Sequence, residues 1–253
     1  MDLNFRGKTA IVTGGGSGLG AAISKVLANE GANVAVNYIV DEEEVHEFVE
    51  ELSKKYNTDC IALYGDITVA ENIDSIINKC IEKYGKIDIL VNNAGIWPTC
   101  FVENMSDEEW NRVIQVNLTG PFMFSKRVVK HFISNSIKGK IINIVSQAAF
   151  HGSTSGHAHY AAAKGGLVTF TVSLAREVAK YGINVNAVAP GMMRTQMSKK
   201  ALAEREDEYL KRIPLGRISE PTEVAYTVAF LASDKADYIT GATIDVTGGM
   251  LMR

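Results

Sequence analysis

Cysteine, long apolar runs and surplus charge are all scarce in this chain, and each scarcity closes off a class of function. Its 253 residues include 3 cysteines, Cys60, Cys80 and Cys100, an odd number with no Cys-x-x-Cys pair. That pattern argues against a disulfide framework or a cysteine-rich metal site and suits buried small hydrophobes in a reducing compartment. No run approaches the roughly 18 apolar residues that a membrane span needs. The opening Met1-Asp2-Leu3-Asn4-Phe5-Arg6 carries no apolar signal-peptide core. A cytoplasmic location without a membrane partner is therefore expected. Lys and Arg total 26 against 29 Asp and Glu, a net charge of −3, which gives no basic surplus for nucleic acid. The acidic run Asp41 to Glu44 suits the first turn of a helix, where carboxylates meet the positive end of the dipole.

What the chain does have is alternation. With 46% hydrophobic and 22% charged residues it is ordinary globular material, of a length for one large α/β domain or two small ones. Apolar strand-length runs fall at Ala10–Val12, Val34–Val36, Cys60–Tyr64, Ile87–Val91, Lys140–Val145, Ile183–Val188 and Ala242–Val246. Helical periodicity fills the gaps: Leu19–Glu30, Glu42–Tyr56, Ala70–Tyr84, Asp107–Ser134, Ala158–Lys180 and Pro221–Ala232. Strands separated by helices imply βαβ crossovers and a parallel sheet covered on both faces. Gly31, Gly85 and Gly182 stand between a helix and a strand, as C-terminal caps do. No linker or internal repeat divides the chain, so residues 1–253 are expected to form a single domain.

The chemistry-bearing residues cluster around one segment. In Tyr160-Ala161-Ala162-Ala163-Lys164 the phenol and the ammonium lie four residues apart and share a helix face. A free tyrosine, with a pKa of about 10, is a poor acid or base at neutral pH. A fixed cation beside it is expected to lower that pKa. Ser146 closes the apolar run before this helix, where its hydroxyl would face a cleft. Nearer the start, Thr13-Gly14-Gly15-Gly16-Ser17-Gly18-Leu19-Gly20 joins the first strand to the first helix. Glycines there let the backbone approach a pyrophosphate at the helix N-terminus. The spacing is Gly-x-x-x-Gly-x-Gly (Gly14, Gly18, Gly20), not Gly-x-Gly-x-x-Gly.

Together these motifs resemble the short-chain dehydrogenase/reductase family over essentially the whole chain. The match also includes Asp66 after the third strand, Asn92-Asn93-Ala94-Gly95 after the fourth, Asn117, and Pro190-Gly191 with Thr195. The resemblance implies a single-domain, doubly wound Rossmann fold with a parallel seven-stranded sheet and helices on both faces. It implies an NAD(P)-dependent oxidoreductase that moves a hydride between nicotinamide and a ketone or secondary alcohol. Asn117, Ser146, Tyr160 and Lys164 would be catalytic: Ser146 and Tyr160 at the substrate oxygen, Lys164 also on the nicotinamide ribose, and Asn117 kinking its helix and holding a water for a proton path. The cofactor would lie along Gly14, Ser17, Gly18, Leu19, Gly20, Tyr38, Asp66, Ile67, Asn93, Gly95, Tyr160, Lys164, Pro190, Gly191, Met193 and Thr195. A homotetramer is implied as well.

The second strand ends Val36-Asn37-Tyr38-Ile39, without the carboxylate that would repel a 2′-phosphate. Ser17 and Ile39 stand where relatives carry cations for that phosphate. The missing repulsion tilts the expectation to NADP(H) over NAD(H). For the substrate, Trp97, Gln147, His151, His157, Met192 and Met197 are candidate lining residues, as are Phe101, Phe150 and Met193. They suggest an apolar, adaptable pocket under a lid at about 190–215. His151, His157 and His159 share no fixed face, and no metal is expected. The motifs are common to 3-oxoacyl-thioester reductases, hydroxysteroid dehydrogenases and sugar or polyol dehydrogenases. The first is favoured as the commonest assignment for this pattern. A catalytically silent nucleotide-binding scaffold is the non-enzyme alternative, opposed by the intact Asn117, Ser146, Tyr160 and Lys164.

Overall fold

A computed structural model describes residues 3–153 and 155–253 of the chain. Seven strands, β1 (Thr9–Val12), β2 (Asn33–Tyr38), β3 (Cys60–Tyr64), β4 (Ile89–Asn92), β5 (Lys140–Ile144), β6 (Asn184–Pro190) and β7 (Thr243–Val246), form one sheet in the order β3-β2-β1-β4-β5-β6-β7. Every neighbouring pair is parallel. The apolar strands are therefore buried on both faces, as a sheet sandwiched between helix layers requires. Chain order reverses between β1 and β4, so the carboxyl ends of these two strands open a crevice.

Two core layers flank the sheet. One packs α1 (Gly18–Asn29) and α9 (Pro221–Ala232), with Val45, Val49 and Leu52 of α2 (Glu42–Tyr56), against the outward side chains of β1, β2 and β4. The other packs α3 (Ala70–Tyr84), α5 (Gly120–Ser134) and α7 (Ala158–Val178) around Ile11, Leu90 and Ile141. Buried amides tie this second layer down: Asn92 donates to Ser125 Oγ at 2.9 Å and to Asn143 Oδ1 at 2.8 Å, and Asn143 donates to Thr171 Oγ1 at 2.8 Å. Gly31, Gly85 and Gly182 do follow helices, all at positive φ.

The expected helix 107–134 is not uniform. It divides into α4 (Asp107–Ile114), a π-helical turn (Gln115–Thr119) and α5. The wide turn is held by a side chain: Asn117 Nδ2 donates to the Val113 carbonyl at 3.0 Å and to the Ile96 carbonyl at 3.0 Å. A short helix, α6 (Ala148–His151), was not legible in the sequence, and α8 (Lys199–Arg212) carries non-helical backbone at Arg205. Among the described residues no helix is long and apolar enough to cross a membrane.

Candidate active site

A cavity of about 750 Å³ runs along the carboxyl ends of the strands from the β1–α1 turn to α8. At its first end the walls are largely backbone. Gly14 and Gly18 adopt positive φ, +59° and +51°, which side-chain-bearing residues seldom do. A Cβ on Gly20 would lie 2.0 Å from the Gly14 carbonyl oxygen, and one on Gly18 would project toward Thr195, 3.7 Å away. Ser17, at the N-cap of α1, makes no side-chain cap bond, so the first-turn N–H groups stay available to an anion. Asn93 braces the turn by donating to the carbonyls of Thr13 and Gly14 at 2.9 and 3.1 Å. A cradle lined by glycine and ending on uncapped N–H groups fits the diphosphate of a dinucleotide. Asp66 borders the same end, its Oδ1 accepting from the Thr68 amide and hydroxyl at 2.8 and 2.7 Å.

At the other end the walls are side chains. Ser146 follows β5, and Tyr160 and Lys164 occupy successive turns of α7. Lys164 is buried and donates to the Ile144 carbonyl at 2.8 Å, with Nζ 5.7 Å from the centre of the Tyr160 ring. A Cβ on Gly95 would fall 2.6 Å from Asn117 Oδ1 and 3.6 Å from Lys164 Nζ, so the bare glycine lets these groups converge. The fully buried Asn117 side chain also accepts from the Ile96 amide at 3.3 Å. Both amide hydrogens and one lone pair are thus engaged.

The electrostatics correct one expectation. Burial pushes the Tyr160 phenol up to about 12, opposed only by its hydrogen bond with Ser146. Burial also pushes Lys164 down, to about 8. Desolvation outweighs any pull from the neighbouring cation, whose ammonium is turned to the Ile144 carbonyl. Tyr160 is therefore held as a phenol, the proton-donating form.

All of the residues expected along a cofactor, and Asn117 and Ser146, border this cavity. So do Trp97, Gln147, His151, Met192 and Met197. His157 does not. Its ring stacks on Trp97 at 4.3 Å and its Nδ1 bonds the Pro98 carbonyl at 2.8 Å, so it supports Trp97 from behind. Phe101 and Phe150 also lie outside the lining. Among the described residues no group of three His, Cys, Asp or Glu side chains is placed to hold a metal.

Sequence reading missed Asn37, which knots three strand ends together. Its Oδ1 accepts from the Gly14 amide at 3.4 Å, and its Nδ2 donates to the carbonyls of Leu63 and Gly65 at 3.2 and 2.8 Å. The available signal was an amide side chain ending an otherwise apolar strand. Arg112, Gln115 and Arg212 also line the cavity without having been singled out.

A family model described as Enoyl-(Acyl carrier protein) reductase matches residues 14–251. The 3-oxoacyl-(acyl-carrier-protein) reductase FabG of Staphylococcus aureus is 42% identical over 245 residues, 97% of this chain and 98% of that protein. Its namesake from Escherichia coli K12 is 41% identical over 250 residues, 99% of this chain and 100% of that protein. Among solved structures, a short-chain dehydrogenase/reductase of the glucose/ribitol dehydrogenase type from Brucella melitensis superimposes with a TM-score of 0.92 at 34% identity, covering 100% of both chains. A dehydrogenase/reductase from Sinorhizobium meliloti 1021 gives 0.91 at 36% identity, covering 99% of this chain and 98% of that one.

Proposed function

The chain belongs to the short-chain dehydrogenase/reductase family, and from that premise we propose that it reduces 3-oxoacyl thioesters to 3-hydroxyacyl thioesters. A nicotinamide dinucleotide held along the glycine turn supplies the hydride when bound. The chain supplies the rest. Ser146 donates a hydrogen bond to the ketone oxygen and fixes its position. Tyr160 delivers its proton to that oxygen as negative charge develops there. Lys164, an ammonium below a pH of about 8, sets the positive potential behind the phenol.

The observation that carries this reading is the half-buried Tyr160 phenol, its proton affinity raised by desolvation and its ring beside Lys164, in the cavity that the glycine turn opens and Ser146 lines. Such a group is poised to give a proton rather than take one, which suits reduction. The near-full-length likeness to the two FabG reductases supplies the thioester. A hydroxysteroid, sugar or polyol substrate is the second reading, favoured by the apolar Trp97, Met192 and Met197 and by the glucose/ribitol dehydrogenase relative.

Either nicotinamide is expected to serve, with a small preference for NADP(H). No carboxylate ends β2 to repel a 2′-phosphate, yet Ser17 and Ile39 offer no cation, and the Tyr38 hydroxyl nearby is engaged with His46 Nε2 at 3.3 Å. Segment 190–215, with α8, is the lid over the substrate end. The protein is a cytoplasmic homotetramer in this reading. Loss of nicotinamide absorbance with acetoacetyl thioester, run with each cofactor, tests the proposal; rapid turnover by the protein and none by Tyr160→Phe is expected. An inert thioester beside a reduced steroid or sugar ketone would transfer the assignment to the second reading.

A further inference from the structure

The helix that carries Tyr160 begins without an ordinary cap. In α7 the tyrosine is the third helical residue, so its N–H has no acceptor within the helix. The N-cap residue, His157, makes no side-chain cap bond, because its ring is turned to the Pro98 carbonyl and stacked on Trp97. That N–H is taken by the residue before it: His159 Nδ1 accepts from the Tyr160 amide at 2.9 Å. His159 is fully buried and takes no part in the cavity lining.

A backbone amide can only donate, so Nδ1 carries no proton and the ring hydrogen sits on Nε2. Among the described residues that Nε2 is buried with no hydrogen-bond partner. The Glu109 carboxylate stands 3.6 Å from it, beyond hydrogen-bond length but near enough for its charge to hold the Nε2–H edge toward it. Glu109 is itself fixed on α4, where its amide donates to the Ser106 hydroxyl at 3.1 Å. Since α4 runs on into the π turn of Asn117, this contact joins the start of the tyrosine helix to the helix that leads to Asn117. The chemistry at Ser146, Tyr160 and Lys164 makes no direct use of the ring, although burying it with a nitrogen unpaired is costly.

We propose that His159 is a positioning residue for the proton donor: through Nδ1 it holds the Tyr160 main chain, and through Nε2–H it is oriented by Glu109. Lys164 needs no such support, because its ammonium is anchored on the Ile144 carbonyl at 2.8 Å. The Tyr160 hydroxyl must be kept opposite Ser146 from the first turn of a helix, where backbone frays most readily. A phenol misplaced by about 1 Å can cost on the order of 10²-fold in rate. The inference rests on the carbonyl-reductase reading above and adds to it a residue that meets neither substrate nor nucleotide.

Two substitutions at one position separate the ring's hydrogen bond from its bulk. His159→Leu removes the acceptor, whereas His159→Asn offers an amide oxygen where Nδ1 stood. Expected in His159→Leu is a fall in kcat of about tenfold or more, with the KM for acetoacetyl thioester and the NADPH affinity within about threefold of the unaltered protein. The solvent deuterium isotope effect on kcat should rise, because proton delivery has become limiting. His159→Asn should recover kcat to within about threefold. Glu109→Ala, at a partly exposed side chain, should lower kcat about threefold with the same isotope signature. Tyr160 amide hydrogen exchange, read without any substrate, should quicken in His159→Leu and stay slow in His159→Asn. Unchanged kcat in His159→Leu, equal losses in the leucine and asparagine variants, or a loss carried by KM or nucleotide affinity without the isotope effect would overturn the proposal. Where the leucine variant does not fold, Glu109→Ala decides alone, and unchanged kcat there overturns it. A thioester left untouched by the unaltered protein counts against the thioester reading instead, and the same variants are then compared on the ketone that it does reduce.

Discussion

At the nucleotide end of the cavity the chain presents backbone, and at the catalytic end it presents side chains. Gly14, Gly18 and Gly20 act through what they lack: the turn closes because no Cβ intrudes. Asn37 and Asn93, which also border the cavity, hold this surface in shape. The catalytic end depends on burying Lys164, Asn117 and Gln147 and on moving the proton affinities of Tyr160 and Lys164. The first end is a shape that tolerates little added volume. The second is an electrostatic arrangement whose atoms can change with little loss of shape. Substitutions should therefore divide into those that abolish binding and those that abolish turnover.

The sharpest division is expected from Tyr160→Phe, which deletes one oxygen from a well-packed site. Turnover should fall by 10²–10⁴-fold, the usual share of a general acid, with the melting temperature nearly unchanged. Lys164→Met should show next in stability. Lys164 is lowered from 10.5 to about 8 in the folded chain, so between these values the unfolded chain holds the extra proton. Stability then rises with pH across that window. Measured by denaturant titration, the protein should gain on Lys164→Met by up to about 3 kcal/mol between pH 8 and 10.5. Tyr160 is common to both chains, so its own titration cancels in the difference.

Gly20→Ala tests the opposite end. Its Cβ would meet the Gly14 oxygen at 2.0 Å, and the turn must shift, at a cost of about 1–3 kcal/mol. Nucleotide affinity, followed by fluorescence, should fall at least tenfold. Preserved affinity would mean that the turn does not contact the nucleotide. The smallest effect is expected away from both ends. Arg217 pairs with Glu223 at 2.6 Å on the surface and holds its carboxyl down to about 2. Arg217→Ala should cost no more than about 1 kcal/mol at neutral pH. The loss should shrink as pH falls from 4.5 toward 2, where Glu223 takes up its proton.

The same contrast governs what the sequence revealed. Glycine spacing, apolar strand runs and helical period gave α2, α3 and α9 their observed ends and foretold the seven parallel strands, because each depends on local pattern. Most residues of the nucleotide end were legible for the same reason. What escaped depends on contacts between distant segments. The resemblance implied a kink at Asn117, but not its form: the π turn at 115–119 exists because Asn117 reaches Ile96, 21 residues away in sequence. His157 faces Pro98 and Trp97 rather than the cavity, a partnership across 59 residues. The Tyr160 proton affinity went the wrong way because spacing shows that a cation is near but not where it points. Asn37 was visible only as a missing carboxylate, while its work is to join three strand ends.

The central claim is that nucleotide binding and proton delivery reside in separate ends of one cavity. Its most direct test is a single preparation of Tyr160→Phe, titrated with NADPH and NADH by fluorescence and then given acetoacetyl thioester. The account predicts affinities within about threefold of the unaltered protein and no measurable reduction. Intact turnover, or nucleotide binding lost along with it, would contradict that separation.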